Sequence, residues 1–199
     1  RAGVRDERVL EAVRDIDRAT FLPAGEERAR DLDRPVPIGH GQTTSQPSLI
    51  AMMIAALDLT GDENVLEIGT GLGYQAALLS RLARHVTTVE RFEDLARAAE
   101  GNLAEAGIDN VDVIAGDGTK GFEENAPYDA IVVAAAFTDV PQPLSEQLRD
   151  GGRLVQPVGP GGSEQVAVFH RSEGQLERTG TLVGARFVRL VGEHGFADG

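Results

Sequence analysis

From residue 64 onward, short apolar, β-branched runs alternate with stretches whose apolar residues recur at helical spacing. The runs are NVLEI (64–68), HVTTVE (85–90), VDVIAGD (111–117) and YDAIVVAAA (128–136), and helical patterns at 74–84, 92–106 and 140–149 separate them. Strands alternating with helices pair in parallel through right-handed crossovers, so this part predicts an open α/β sheet. After RDGG, the run RLVQPV (153–158) adds a strand. Beyond it the rhythm changes. EQVAVFHR (164–171), a turn at Glu173-Gly174 and residues 176–192 read as strands with no helix between them, so the sheet is expected to end in an antiparallel pair.

The first third is patterned differently. Residues 4–20 place Val4, Val9, Leu10, Val13 and Ile16 on one helical face, with charges elsewhere, which predicts an amphipathic helix. Residues 34–47 carry prolines at 35, 37 and 47 and glycines at 39 and 41, which predicts an ordered but irregular loop. Helix resumes near Ser48, and SLIAMMIAALDL is apolar nearly all round, so it is expected to be buried, with Met52 and Met53 filling core. GPGG at 159–162 predicts a mobile turn. No internal repeat or low-complexity tract is visible.

Composition narrows the function classes. At 199 residues the chain can bury the core of one domain, and no linker divides it. The longest apolar run, 49–57, is too short to span a bilayer, and no leader-like pattern opens the sequence, so a soluble, non-secreted, cytoplasmic protein is expected. With no cysteine there is neither a disulfide nor a thiolate metal site. Thirty-two acidic residues against 19 basic ones give a net charge of −13, and Lys120 is the sole lysine. Such a surface repels nucleic-acid phosphates. It also suits concentrated salt, where repulsion between carboxylates is screened, so a halophilic origin is expected; an acidic protein from ordinary salt is the competing reading.

The candidate chemistry sits at strand ends. In LEIGTGLGYQAALL (66–79), Gly69, Gly71 and Gly73 let the chain turn sharply from strand to helix and approach a ligand closely. The spacing is not the dinucleotide fingerprint, because the third glycine follows the second by two residues rather than three. Glu67 before the turn suits a ligand with a positive end better than a pyrophosphate, and Thr70 lies inside the turn. Glu90, 21 residues after Gly69, stands where doubly wound folds place an acid that accepts ribose hydroxyls, with Arg91 beside it. Gly116, Asp117 and Gly118 close the third strand, where the Asp117 carboxylate can accept an adenine amino proton. Taken singly, Glu90 is an ordinary strand-end glutamate and Asp117 a turn residue; together they form a series across adjacent strands.

These residues resemble the S-adenosylmethionine site of class I methyltransferases. More narrowly, IGHGQTTSQP, GTGLGYQAA, GDGTKG, APYDAIVVAAA, GGRLVQPVG and RFVRLVGEHGF together resemble the protein-L-isoaspartate O-methyltransferase family across nearly the whole chain. The resemblance implies a doubly wound, mostly parallel seven-stranded α/β sheet of the Rossmann-like class I kind. It also implies an antiparallel C-terminal strand pair and an N-terminal helical segment, with the order of the last two strands left open. The chain then divides into N-terminal helices and active-site loop (1–60), donor-binding core (61–160) and C-terminal strands (161–199). Glu67, Gly69, Thr70, Gly71, Gly73, Glu90, Arg91, Gly116, Asp117 and Gly118 would hold S-adenosylmethionine. Thr44 and Ser45 would present hydroxyls to the acceptor carboxylate, and Thr43, Gln46, Val158, Gly159 and the GARFVRL segment would border the peptide.

The implied reaction is methylation of the free carboxylate of L-isoaspartyl residues in damaged proteins and peptides, by a monomer with no nucleic-acid or membrane partner. A carboxylate is already ionised at neutral pH, so no general base is required; alignment and exclusion of water are what the enzyme can add. His40 is therefore read as a loop histidine bonded to backbone, with contact to donor or substrate as the alternative. His85, His170 and His194 are scattered, without metal-ligand spacing, and Ser80 has no histidine partner in sequence reach. The chain departs from the family at Phe137 and Arg189, where proline is common. Two rival readings stand: a methyltransferase acting on a small molecule or RNA, which shares residues 64–118 but gives no reason for the TTSQP loop, and a noncatalytic donor-binding or interaction domain.

Overall fold

The computed structural model describes residues 3–160 and 162–198; Gly161, inside the expected GPGG turn, lies outside them. The N-terminal helix α1 (Glu7–Asp15) starts where the Asp6 carboxylate accepts the Arg8 amide at 2.9 Å. It is shorter than the expected 4–20 because the chain turns extended at Ile16, and Asp17 caps a separate 3-10 turn, Arg18–Phe21, by accepting the Ala19 amide. Val9, Ala12 and Ile16 are buried. Arg18, 4% exposed, donates to the carbonyls of Ala29, Leu32 and Arg34 and so fastens the following loop.

The expected irregular loop is instead a two-stranded hairpin, β1 (Val36–Gly39) and β2 (Gln42–Thr44), paired antiparallel with Pro37 opposite Thr43. Proline is tolerated because an isolated pair leaves one side of each strand without a ladder partner. The tip turns through three successive positive φ values, 99° at Gly39, 50° at His40 and 68° at Gly41. Helix α2 (Pro47–Ala56) follows, with proline at its first position, and buries Leu49, Ile50, Met53 and Ile54.

The seven-stranded sheet comprises β3 (Asn64–Ile68), β4 (His85–Glu90), β5 (Val111–Ala115), β6 (Tyr128–Val133), β7 (Leu148–Val158), β8 (Glu164–Ser172) and β9 (Gln175–Ala185). Its order is β5-β4-β3-β6-β7-β8-β9; the first five strands are parallel, and β8 and β9 are antiparallel to their neighbours. The last two strands thus lie in sequential order. The crossovers hold α3 (Tyr74–Ser80), α4 (Glu93–Glu105) and α5 (Gln142–Gln147). Both α3 and α5 are shorter than expected. After Pro141 starts α5, the chain is already extended at Leu148, so RDGG belongs to an eleven-residue β7 whose pairing with β6 is irregular between Tyr128 and Ala130.

The central strands are buried on both faces, which is why they read as unbroken apolar runs. One core lies between the sheet and α1, α2 and α3, with Val65, Leu78 and Val132 fully enclosed; the other, under α5, holds Leu66, Ile131, Leu144 and Leu154. The strand expected to run to residue 192 stops at Ala185. Residues 186–198 return across the carboxyl ends of the sheet, touching it through a bridge of Ala136 with Arg189, while a second bridge, Val191 with Phe196, closes the segment on itself.

Candidate active site

The reversal of strand order about β3 opens a crevice at the carboxyl ends of β3, β4 and β6, where doubly wound sheets bind ligands. A cleft of about 830 Å³, its open mouth included, occupies this position. One wall is the turn Gly69-Thr70-Gly71, with Glu90, Arg91 and Gly118 beside it; the facing wall is the hairpin end Thr43, Thr44 and Ser45. The 186–198 segment closes a third side through Arg189, Leu190 and Val191.

The glycine turn needs its glycines for different reasons. Gly69 and Gly71 have φ of 93° and 57°. A Cβ on Gly71 would also lie 3.1 Å from Ile38 Cδ1, so the hairpin rests directly on the turn. Gly118 has an ordinary φ, but a Cβ there would lie 2.5 Å from Ile68 Cγ2. Gly73, by contrast, packs inward against Ala99, Leu103 and Phe21 and does not line the cleft.

Glu90, 5% exposed, accepts the Gly71 amide on Oε2 at 2.8 Å and the Phe92 amide on Oε1 at 3.1 Å. Burial pushes its carboxyl upward against these bonds. Glu67 lies beneath the turn, fully enclosed rather than on the cleft wall. Thr88 donates to its Oε2 at 2.6 Å, Thr70 and Thr88 share a further 2.6 Å hydroxyl contact, and Oε1 has no partner. Desolvation pushes Glu67 up to about 8 against the Thr88 hydrogen bond, with the nearby Glu90 charge adding to the rise, which favours the neutral acid.

Asp117 is turned away from the cleft wall. It accepts the Thr119 amide and hydroxyl on Oδ1 at 2.9 and 2.6 Å, and the Glu193 amide on Oδ2 at 2.8 Å. Burial works to raise its carboxyl, but these bonds hold it below the usual range. Asp117 therefore ties the 186–198 segment to the end of β5, and Gly116, whose amide donates to the Glu90 carbonyl at 2.8 Å, does not line the cleft. Arg91 does the same from β4, donating to both Asp198 oxygens at 2.8 Å.

At the hairpin end, Ser45 lines the cleft, and its hydroxyl makes no hydrogen bond among the described residues. Gln46 faces a second groove, with Thr43, Ser45, Leu49, Met52 and residues 183–186 of the β9 end. Val158 and Gly159 line neither groove; they bridge to Phe137, whose carbonyl accepts the Gly159 amide at 2.9 Å. His40 does not bond to backbone through its ring. Its Nε2 lies 2.8 Å from Asp94 Oδ2, and the ring stacks on Phe92 at 4.2 Å between centroids. Sequence reasoning missed Gln75, Tyr74, Phe21 and Ile38 on the cleft wall. Only the adjacency of the first two to the glycine turn offered a signal.

A family model described as Protein-L-isoaspartate(D-aspartate) O-methyltransferase (PCMT) matches residues 1–195. The protein-L-isoaspartate O-methyltransferase of Methanoculleus marisnigri is 51% identical over 194 residues, covering 98% of this chain and 88% of that protein. Its counterpart in Myxococcus xanthus is 47% identical over 196 residues, covering 97% and 92%. A solved structure described as a protein-L-isoaspartate O-methyltransferase superposes with a TM-score of 0.86 at 31% identity, over 97% of this chain and 63% of that longer one. A Plasmodium falciparum structure in complex with S-adenosyl-L-homocysteine, at 22% identity and a TM-score of 0.80, covers 94% of this chain and 92% of that one and shares the fold.

Proposed function

The chain belongs to the protein-L-isoaspartate O-methyltransferase family, and on that premise we propose which of its residues carry the reaction. It is an enzyme that transfers a methyl group from S-adenosylmethionine to the free carboxylate of L-isoaspartyl residues in damaged proteins and peptides. The cleft fits that donor. Its glycine wall admits close approach, and Glu90 offers a carboxylate whose oxygens keep lone pairs for ribose hydroxyls. Bound there, S-adenosylmethionine supplies an electrophilic methyl group on a sulfonium, and in-line displacement by the acceptor carboxylate leaves S-adenosylhomocysteine and a methyl ester.

The observation that carries the assignment is the uncommitted hydroxyl of Ser45 in the cleft that the glycine turn also lines. In our reading Ser45, with Thr44, donates to the acceptor carboxylate and aims it, while a cationic partner would form an ion pair and blunt the nucleophile. No proton is removed, so no base is required. Ile38, Phe21 and Ile50 keep water from the reacting centre, and alignment of this kind is worth up to roughly 7–11 kcal/mol. Gly69, Thr70, Gly71, Arg91 and Gly118 form the donor wall. Glu67, Gly73, Gly116 and Asp117 support it from behind, Thr43 and Gln46 border the peptide side, and Val158 and Gly159, set back from both grooves, act there only through Phe137. The ester is a better leaving group than a carboxylate, so the neighbouring backbone nitrogen closes a succinimide whose hydrolysis returns some normal aspartate.

We propose further that the chain is one domain, with residues 1–60, 61–160 and 161–199 as its helical, donor-binding and C-terminal parts. A core shared from Val9 through Leu79 to Val166 supports this. The charge of −13 supports protein rather than nucleic-acid substrates and a working environment of concentrated salt. No helix among the described residues is long and apolar enough to cross a membrane. The cysteine-free composition supports a cytoplasmic place, and we take the working form to be a monomer. The test is methyl transfer to two peptides that differ only in L-isoaspartyl or normal L-aspartyl linkage. Incorporation into the first alone, lost in Ser45→Ala with donor binding intact, is expected. Transfer to both peptides, or full activity in Ser45→Ala, would overturn the assignment.

A further inference from the structure

Gln75 is the second residue of α3 and lines the cleft between the hairpin end and the glycine turn. It is 6% exposed, and its Nε2 has no hydrogen-bond partner. A buried amide left without a partner is costly, and native proteins keep one where something outside the chain completes it. The position is not forced by helix formation either, since an apolar side chain would serve α3 at least as well among Tyr74, Ala76, Ala77 and Leu78, all buried. An NH₂ group is a donor only, so its missing partner is an acceptor.

We propose that Gln75 is a carboxylate-binding residue of this cleft. The inference rests on the methyl-transfer reading, under which two carboxylates enter the site: that of the donor's amino-acid tail and that of the isoaspartyl acceptor. A neutral donor suits either. It holds the anion without the full pairing that would hold back a nucleophile, and it needs no charge in a cleft whose ionisable wall groups are Tyr74, Glu90, Arg91 and Arg189, with Glu67 beneath. Burial holds Tyr74 neutral by pushing its phenol upward, so Tyr74 does not compete as an anion.

The test compares wild type, Gln75→Met and Gln75→Glu by calorimetric binding of S-adenosylhomocysteine and of 5′-methylthioadenosine, which lacks the amino-acid tail, and by steady-state kinetics on an isoaspartyl peptide. If the donor carboxylate is the ligand, Gln75→Met weakens S-adenosylhomocysteine by about tenfold or more while 5′-methylthioadenosine is unchanged. If the acceptor is the ligand, peptide KM rises by a similar factor and both nucleosides bind as before. In either case the melting temperature does not fall, because no internal bond is removed. Gln75→Glu is worse than Gln75→Met at pH 8 and recovers as the pH drops and the buried glutamic acid becomes a donor. Equal weakening of both nucleosides, or unchanged binding and unchanged peptide KM, overturns the proposal. A wild type inactive on the isoaspartyl peptide would instead sink the methyl-acceptor reading. The nucleoside pair then decides alone: loss specific to S-adenosylhomocysteine keeps the proposal, and no such loss ends it.

Discussion

A buried glutamic acid beneath the glycine turn sets a pH dependence that the surface charge does not. Glu67 ionises near its ordinary 4.5 in the unfolded chain but only at about 8 in the fold. Between those values the folded state holds a proton that the unfolded state has released. Its contribution is therefore fully present below pH 4.5 and is lost as pH rises through 8. Gln is an isostere of the neutral acid, so Glu67→Gln is expected to match wild type in thermal melts at pH 4 and to exceed it at pH 8.5. Equal melting temperatures at both values would mean that Glu67 is ionised in the fold. Gly118→Ala makes a second residue-scale case. Its Cβ would press on Ile68 Cγ2 at the floor of the cleft, and overpacking of this kind costs about 1–3 kcal/mol, to be read by urea titration together with weakened S-adenosylhomocysteine binding. The sequence carried the positions of both residues, because glycines and acids at strand ends stand out against apolar runs. It did not carry the state of Glu67 or the orphaned amide of Gln75, since whether a polar side chain is enclosed or partnered depends on elements far away along the chain.

At the scale of elements, the proposed acceptor side of the cleft is the hairpin β1–β2. It is held at both ends: Ile38 sits on Gly71, and the tip is latched by His40 to Asp94 and Phe92, immediately after Glu90. The hydrogen bond from His40 holds the Asp94 carboxyl below its usual range, so the carboxylate arm of the latch persists above that range and is lost only as pH falls through the lowered value. His40→Ala is expected to raise the dissociation rate of S-adenosylhomocysteine on the order of twofold to fivefold, as for an exposed pair, and Asp94→Asn to do the same. The double variant should add nothing, and an additive effect in stopped-flow measurements would show that the two act separately. None of this was readable in 34–47, where three prolines and two glycines mask a strand pair. Pro37 belongs to an unladdered side and the glycines to a turn of positive φ, and both look like breakers without their partner strand. The repeating strands and helices from residue 64 to 158 were readable because period and length agree there, with errors confined to ends such as Leu148, where local chemistry competes with the pattern.

Over the whole molecule, topology and charge act together. The sequential order of β7, β8 and β9 follows from two antiparallel steps, and the antiparallel ending was visible in the missing helix, whereas the side on which each strand joins was not. Chain end and sheet end then meet at the cleft, because residues 186–198 return across it and are tied down by Arg91 to Asp198 and Lys120 to Glu193. Such exposed pairs contribute little each, so screening them loses little. The excess of 32 acids over 19 basic residues is a larger, diffuse repulsion. The Debye length falls from about 10 Å at 0.1 M salt to about 3 Å at 1 M, which removes most of that repulsion. The melting temperature is accordingly expected to climb by about 5 °C or more between 0.05 and 2 M potassium chloride, corresponding to roughly 1–2 kcal/mol for a chain of this size. Glu100, Glu124 and Glu177 are exposed and make no ion pair among the described residues. Changing all three to glutamine should raise stability at low salt and leave it nearly unchanged at 2 M. If the triple variant gains as much at 2 M as at 0.05 M, the benefit is not electrostatic. If wild type melts at the same or a lower temperature in molar salt, the acidic surface is not an adaptation to it.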